Sequence, residues 1–271
     1  MPQPATPQLG PKTLDKPLTL ITHLPSRLLF VLTPKCGSTS LISTFLILAG
    51  LPEAARAPRS FRRTPDSTAE MATKGLSIID GTLADLIAAR AANPGFRLLA
   101  VVRDPTDRLI SNYFNKLNRY AKRHARLAYV WGKLCQLAEG PKAWPDVTRG
   151  NRHMQRLLGF EHFLSGLGRH GTEFDIHYAA QSGLLGLQQL TYDRLFRLET
   201  LDQDLLPGLA ASGMPPECLD RLTALPRMNR TREDPRQSTL LTPGACVAIT
   251  RLYVADFAAL GYAPPHKGAT P

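Results

Sequence analysis

Two apolar runs dominate the hydrophobic pattern of this chain, and each ends in a polar turn that gives way to helical spacing. Residues 28–41 read LLFVLTPKCGSTSL, and residues 98–116 read LLAVVRDPTDRLISNYFNK. A short continuous apolar run bounded by turn residues suits a strand buried on both faces of a parallel sheet. Strands are therefore predicted over residues 27–33 and 96–102, with a third over 192–198. A helix is predicted from Ser38 to about Gly50, where Gly50-Leu51-Pro52 stops it. Residues 82–92 have helical spacing and end at Asn93-Pro94-Gly95. Asp104 stands at a helix N-cap position with Pro105 in the first turn. From there Leu109, Tyr113 and Leu117, then Ile110 and Phe114, recur at helical spacing.

The remainder is coarser. Residues 53–68 are rich in Arg, Pro and Ser and read as a loop. Residues 120–170 read as helical, with breaks around Gly140-Pro141 and Trp144-Pro145. Helices are predicted over 201–209 and 215–222, and one long helix over 243–260. Residues 1–18 and 264–271 read as flexible tails, which leaves 19–263 as one domain. Strands alternating with helices imply an α/β fold. The expected architecture is a P-loop-like parallel β-sheet flanked by helices, with a helical insertion and C-terminal half.

Composition sharpens the search for partners. The 271 residues are 43% hydrophobic, enough for a sizeable core. The formal net charge is +11, which suits an anionic partner. Residues 112–170 hold eleven Lys/Arg against three acids, Glu139, Asp146 and Glu161. Such a run is either a solvated helical face or a surface for a polyanionic acceptor. Cys36, Cys135, Cys218 and Cys246 form no CxxC pair and no zinc spacing, so no metal is expected and reduced thiols are. The first residues lack the charged start and apolar stretch of a signal peptide, and no run of about eighteen apolar residues occurs. The expectation is a soluble cytoplasmic protein with no transmembrane segment.

The two turns carry the candidate chemistry. A strand that turns into a helix aims backbone N–H groups at one spot, and the helix dipole adds positive charge there. In the first turn Gly37 permits close backbone approach, Ser38, Thr39 and Ser40 offer hydroxyls, and Lys35 offers a full charge. A nucleotide triphosphatase loop reads GxxxxGK[ST], with Lys after the last Gly. Here Lys35 precedes Gly37 and no magnesium-holding partner is evident, which argues against ATP or GTP hydrolysis. In the second turn Arg103 ends a strand and can bind phosphate bidentately. Ser111 follows two helical turns on. A fixed Arg and a hydroxyl suit a separate 3′-phosphate, so the pair of turns reads as a site for a nucleotide phosphorylated at both 5′ and 3′ positions.

These residues resemble those of the Golgi carbohydrate sulfotransferases and their bacterial relatives, the sulfotransferase family 2 group. Thr33-Pro34-Lys35-Cys36-Gly37-Ser38-Thr39-Ser40-Leu41 is similar to the family's 5′-phosphosulfate loop. Val102-Arg103-Asp104-Pro105, Arg108-Leu109, Ser111, Tyr113 and Lys116 are similar to its 3′-phosphate motif. Looser similarity follows in Asp175-Ile176-His177-Tyr178-Ala179-Ala180-Gln181, with Tyr for Trp and Ala180 for Pro. It continues through Tyr192-Asp193, Arg197–Leu201, Asn229 (with Arg227 replacing a His), and Tyr253 to Tyr262. The resemblance implies the donor 3′-phosphoadenosine 5′-phosphosulfate (PAPS), no metal, and in-line attack of an acceptor hydroxyl or amine on sulfur. It further implies that Lys35 stabilises the departing bridging oxygen. Cys36, Gly37, Ser38, Thr39 and Ser40 would hold the 5′-phosphate side, and Arg103 and Ser111 the 3′-phosphate.

The base that takes the acceptor proton is less clear from the chain. No His occurs between His23 and His124, where Glu70 and Asp80 are the candidate acids, and His177 is a further candidate. A structural hydrogen-bonded His is the competing reading for His177, as is packing for Cys36 and an ordering role for Glu199. Trp131 and Trp144 suit either sugar stacking or helix packing, and Arg56, Arg59, Arg62 and Arg63 either an acidic acceptor or a solvated loop. The acceptor implied by the resemblance is a carbohydrate, and the basic stretch suits an acidic one. A lipid, a small alcohol or a tyrosine is the enzymatic alternative. A P-loop kinase and a basic nucleic-acid-binding protein stand further off, and no nucleic-acid partner is expected.

Overall fold

The computed structural model describes residues 18–62, 64–123, 159–173, 175–223 and 237–266. Its strands are β1 (Leu18–His23), β2 (Leu28–Leu32), β3 (Leu76–Gly81), β4 (Arg97–Val102) and β5 (Arg194–Arg197). The helices up to the sheet's last strand are α1 (Ser38–Leu48), α2 (Pro58–Phe61), α3 (Pro65–Thr73), α4 (Leu83–Ala92), α5 (Pro105–Arg123), α6 (Phe160–His170) and α7 (Gln181–Leu184). After β5 come α8 (Leu201–Ala211), α9 (Pro216–Thr223), α10 (Gln237–Leu240), α11 (Pro243–Leu252) and α12 (Val254–Leu260). Two compact units divide the chain. One comprises Met1–Pro105, Glu173–Arg232 and Ala255–Tyr262; the other comprises Thr106–Thr172, Glu233–Val254 and Ala263–Pro271.

The first unit is built on a five-stranded sheet in the order β3-β1-β2-β4-β5. The three strands expected from the sequence, β2, β4 and β5, pair in parallel. The sheet as a whole is mixed rather than parallel, because β1 runs antiparallel to both β2 and β3. The sequence reading left residues 19–26 without an element and so missed the cause. β1 returns directly into β2 through Leu24-Pro25-Ser26-Arg27, closed by the Arg27 N–H donating to the Leu24 carbonyl at 3.0 Å. A connection this short permits only antiparallel pairing. The sheet's edge strand β3, also unassigned, is half exposed and lacks the continuous apolar run that marks β2 and β4.

Both faces of the sheet are covered. Leu28, Phe30, Leu32, Leu99, Val101 and Phe196 join Leu41, Phe45 and Leu48 of α1 in one core layer. Leu29, Val31, Leu98, Ala100 and Val102 join Leu83 and Leu86 of α4, Leu184, Leu185 and Leu260 in the other. Two-sided burial is why β2 and β4 read as uninterrupted apolar runs. Phe45 is fully buried and meets the Phe30 ring edge-on at 5.3 Å, while Phe30 stacks on Phe196 at 6.1 Å. Thr82 and Asp85 form a reciprocal capping box that starts α4.

Two further expectations are corrected. The stretch read as a loop over 53–68 holds a 3₁₀ turn at Ala54–Arg56, α2 and the start of α3. Pro58 and Pro65 stand in the first turns of α2 and α3, where proline's fixed φ favours a helix start. The long helix expected over 243–260 is two helices, interrupted at Tyr253 with φ −123° and ψ 26°. The chain passes from one unit to the other just after this break, between Val254 and Ala255, and the apolar spacing runs through it unaltered. In the second unit, the Tyr113 ring of α5 lies 5.0 Å from Phe160 and 5.2 Å from Phe163 of α6. Thr242 caps α11 by accepting the Ala245 N–H at 3.1 Å and donates to Glu161 of α6 at 2.5 Å. The breaks expected near Gly140-Pro141 and Trp144-Pro145 lie outside the described residues.

Two measurements probe this core. Phe45→Ala is expected to cost about 3–5 kcal/mol in urea unfolding, because the cavity cannot close between two packed layers. His23 is 1% exposed and shares a 2.8 Å hydrogen bond between Nδ1 and the Ser26 hydroxyl. Burial first, and then the Arg221 charge, lower its pKa from 6.5 to about 4. The unfolded chain then binds a proton that the folded chain refuses, so this contribution is full above pH about 6.5 and is lost as pH falls towards about 4. His23→Asn, which retains a polar partner for Ser26, is expected to show a shallower fall in melting temperature across that window.

Candidate active site

Parallel pairing of β2 with β4 brings their carboxyl ends to one edge of the sheet. A single row crosses that edge through Asp80, Thr19, Leu32, Val101 and Phe196. Immediately past the row, β2 enters the Lys35 turn and β4 enters the Arg103 turn. Ligands of open α/β sheets bind at this edge because loops and helix N-termini converge there.

The first turn is held in an uncommon shape. Lys35 has φ 70° and Gly37 φ 76°, both left-handed. For Lys35 this costs roughly 1–2 kcal/mol, and such strain is concentrated at functional sites. At Gly37 the left-handed backbone favours glycine, and a Cβ would sit 3.0 Å from Leu198 Cδ1, close enough that this side chain would have to shift. The buried Thr33 carbonyl accepts the Cys36 N–H at 3.4 Å and the Ser38 hydroxyl at 3.0 Å. Gly37 caps α1 without a side chain, and no acid occupies the first turn of that helix. Its N-terminal amides and the half-buried Ser38, Thr39 and Ser40 therefore present a positive, donor-rich end.

The second turn abuts the first. Arg103 Nη1 donates to the Lys35 carbonyl at 3.4 Å. The fully buried Gln181 ties the two more firmly. Its Oε1 accepts the Arg103 N–H at 3.0 Å and the Cys36 thiol at 3.1 Å, while its Nε2 donates to the Arg103 carbonyl at 2.7 Å. The thiol in turn accepts the Thr33 hydroxyl at 3.1 Å. Behind Gln181, the buried Asp256 accepts the Gln181 N–H at 2.8 Å and both the N–H and the hydroxyl of Ser182 at 2.7 Å. Next to Arg103, the Asp104 N–H donates to Glu199, whose other oxygen accepts the Tyr262 hydroxyl, both at 2.9 Å. Burial first, and then the Glu199 charge, raise the pKa of that hydroxyl and keep it a donor.

A family model described as the sulfotransferase family matches residues 19–263. The chain belongs to the sulfotransferase family. It is accordingly an enzyme of sulfonate transfer, which requires a sulfonate donor and an acceptor. Comparison with curated proteins and with solved structures returned no match.

In this sulfotransferase the phosphate-binding candidates singled out by sequence fall into three groups. Lys35, Gly37, Ser38, Thr39, Ser40 and Arg103 meet at the carboxyl edge of the sheet. Cys36 belongs to the same turn, and its side chain is fully buried against Gln181 and Thr33. Ser111 is half-buried on α5 and lies within the second unit.

The base candidates differ in surroundings. His177 Nδ1 lies 2.7 Å from an Asp175 oxygen that also accepts the His177 N–H at 2.9 Å. His177 stands four residues before Gln181 in the same segment. Asp80 occupies the sheet-edge row roughly 10 Å, two strand spacings, from Leu32. Its carboxylate pairs with Arg62 at 2.8 Å and accepts the Thr19 hydroxyl at 3.3 Å. Glu70 is exposed on α3. Arg56 forms an exposed pair with Glu53, a contact of small energetic weight. Arg63, Trp131, Trp144 and most of the basic stretch 112–170 lie outside the described residues, as does the side chain of Arg59. Among the described residues no group of His, Cys, Asp and Glu is arranged for a metal, and no single helix is long and apolar enough to cross a membrane.

Gln181 and Asp256 are the residues whose part in the site the sequence did not reveal. Gln181 and Asp256 lay within the looser similar stretches, but a Gln next to a short helix and an Asp inside one carry no local signal of long-range pairing. Asp256→Ala is expected to leave three donors unsatisfied in the interior and to cost about 3 kcal/mol in urea unfolding.

Proposed function

We propose that this sulfotransferase takes its sulfonate from PAPS and delivers it to a hydroxyl of a carbohydrate. The observation that carries the donor reading is the direct contact of two cationic turns, Lys35 and Arg103, at the carboxyl ends of adjacent parallel strands. The donor set fits a nucleotide with separated phosphates: two cationic side chains, the hydroxyls of Thr39 and Ser40, a helix N-terminus, and no acid in the first turn of α1. The carbohydrate acceptor is supported by the sequence resemblance and by the basic stretch 112–170.

The roles follow from charge. Bound PAPS supplies a sulfonate already attached to a stable leaving phosphate. Lys35 holds the bridging oxygen that gains charge as its bond to sulfur breaks. The hydroxyls of Thr39 and Ser40, with the amides of Ser38 and of the turn, take the 5′-phosphate, and Arg103 takes the 3′-phosphate. His177 receives the acceptor proton. Its Nδ1–H donates to Asp175, which leaves Nε2 as the accepting nitrogen and steadies the imidazolium that forms.

Calorimetric titration with adenosine 3′,5′-bisphosphate is expected to show tight binding without magnesium, and weaker binding of Mg·ATP. Arg103→Ala should reduce bisphosphate affinity by about 1.5–3 kcal/mol. A preference for Mg·ATP would overturn the donor assignment. Labelled PAPS offered with glycans, lipids and tyrosine peptides is expected to mark the glycans. Lys35→Gly removes the charge and the left-handed strain together, so turnover should fall about 10²–10³-fold with no loss of melting temperature. His177→Gln should abolish the acidic limb of the kcat/KM profile, whereas Asp80→Asn should leave that limb in place.

A further inference from the structure

We propose that Gln181 is a positioning residue that clamps the two phosphate turns at a fixed separation and thereby makes the enzyme selective for a 3′-phosphorylated donor. This rests on the donor reading above. A nucleotide carrying phosphates at both ends gains from its second phosphate only if the two turns are already at the right spacing, since otherwise ordering them consumes the gain.

The geometry assigns that task to one side chain. The Gln181 amide pairs with the backbone of Arg103 as a neighbouring strand would, donating to the carbonyl at 2.7 Å and accepting from the N–H at 3.0 Å. The same Oε1 takes the Cys36 thiol at 3.1 Å, so both its lone pairs are used. One planar amide thus holds the peptide just past β4 and the centre of the turn after β2. Its own backbone is immobilised by Asp256 at 2.8 Å, and Gln181 and Asp256 are both fully buried. The bonds to Cys36 and Asp256 are buried and those to Arg103 partly so, surroundings in which a hydrogen bond is strengthened and an unpaired group is costly. Cys36 gains a purpose that nucleophilic or ligand chemistry does not give it: it is the anchor by which the first turn is attached to the clamp. Gln181 makes these contacts to backbone and thiol, behind the turns, so it acts through Arg103 and the Lys35 turn.

The test compares adenosine 5′-monophosphate with adenosine 3′,5′-bisphosphate by calorimetry on the full chain. The wild type is expected to bind the bisphosphate about 10- to 150-fold more tightly, the worth of charged hydrogen bonds to one phosphate. Gln181→Met, similar in length and apolar, should cut that preference about tenfold while affinity for the monophosphate changes by less than about threefold. Added to Arg103→Ala, Gln181→Met should cost the bisphosphate little more, because the two changes act on one contact. Cys36→Ala severs the thiol arm together with the Thr33 hydroxyl's bond to it, keeps the Gln181–Arg103 pair and is the milder variant, expected to reduce the preference about two- to threefold. Equal weakening of both nucleotides in Gln181→Met, or in Cys36→Ala if the former does not fold, would mean a merely structural residue and overturn the proposal. A preference retained in full would overturn it as well. A wild type that binds both nucleotides equally would instead overturn the donor reading, and the clamp with it.

Discussion

Parallel pairing of β2 with β4 is the constraint from which the site follows. Two strands that run the same way must end at the same edge, and in this chain each ends in a turn that opens a helix. The pairing is secured by burial on both faces, from α1 on one side and α4, α7 and α12 on the other. No polar residue interrupts β2 and none is buried inside β4, so the pair has no register in which its apolar side chains reach water. The turns are thus brought together by the hydrophobic core, before any ligand contributes.

Adjacency alone leaves a polar problem at that edge. Past the last ladder bond, the backbone groups of Arg103 have lost their strand partner, and in a low-dielectric surrounding they require another. Gln181 supplies it, and Asp256 in turn satisfies the amides at the start of the short helix that carries Gln181. Glu199 does the same for Asp104. Gln181 and Asp256, two buried polar side chains of the first unit, thus stand behind the two turns, where they fix backbone shape. The left-handed Lys35 is tolerated because these contacts over-determine its turn.

Local pattern identified some elements and concealed others for definite reasons. β2, β4, α1 and α4 were legible because two-sided burial and capping chemistry are written in consecutive residues. β1 and β3 were not, since a half-exposed edge strand and a strand next to a proline-rich stretch share their composition with loops. Pro58 and Pro65 read as breakers although they initiate helices, because proline's fixed φ serves either purpose. The interruption at Tyr253 is invisible to periodicity, since the apolar positions on either side keep helical spacing while belonging to different units.

The sequence by itself determined the site's charged and hydroxyl groups, the two strand-to-helix junctions that carry them, and membership of the sulfotransferase family. Those features depend on residues near one another in the chain, where strand burial, helix capping and backbone freedom at Gly37 leave a local mark. Tertiary structure alone decided which way the strands pair, that the Cys36 thiol faces inward, and that Gln181 spans the two turns. Each of these joins residues far apart in sequence; Cys36 and Gln181 are separated by 145 positions. Such a partnership is set by where the core places two backbones, and no run of neighbouring residues can encode it.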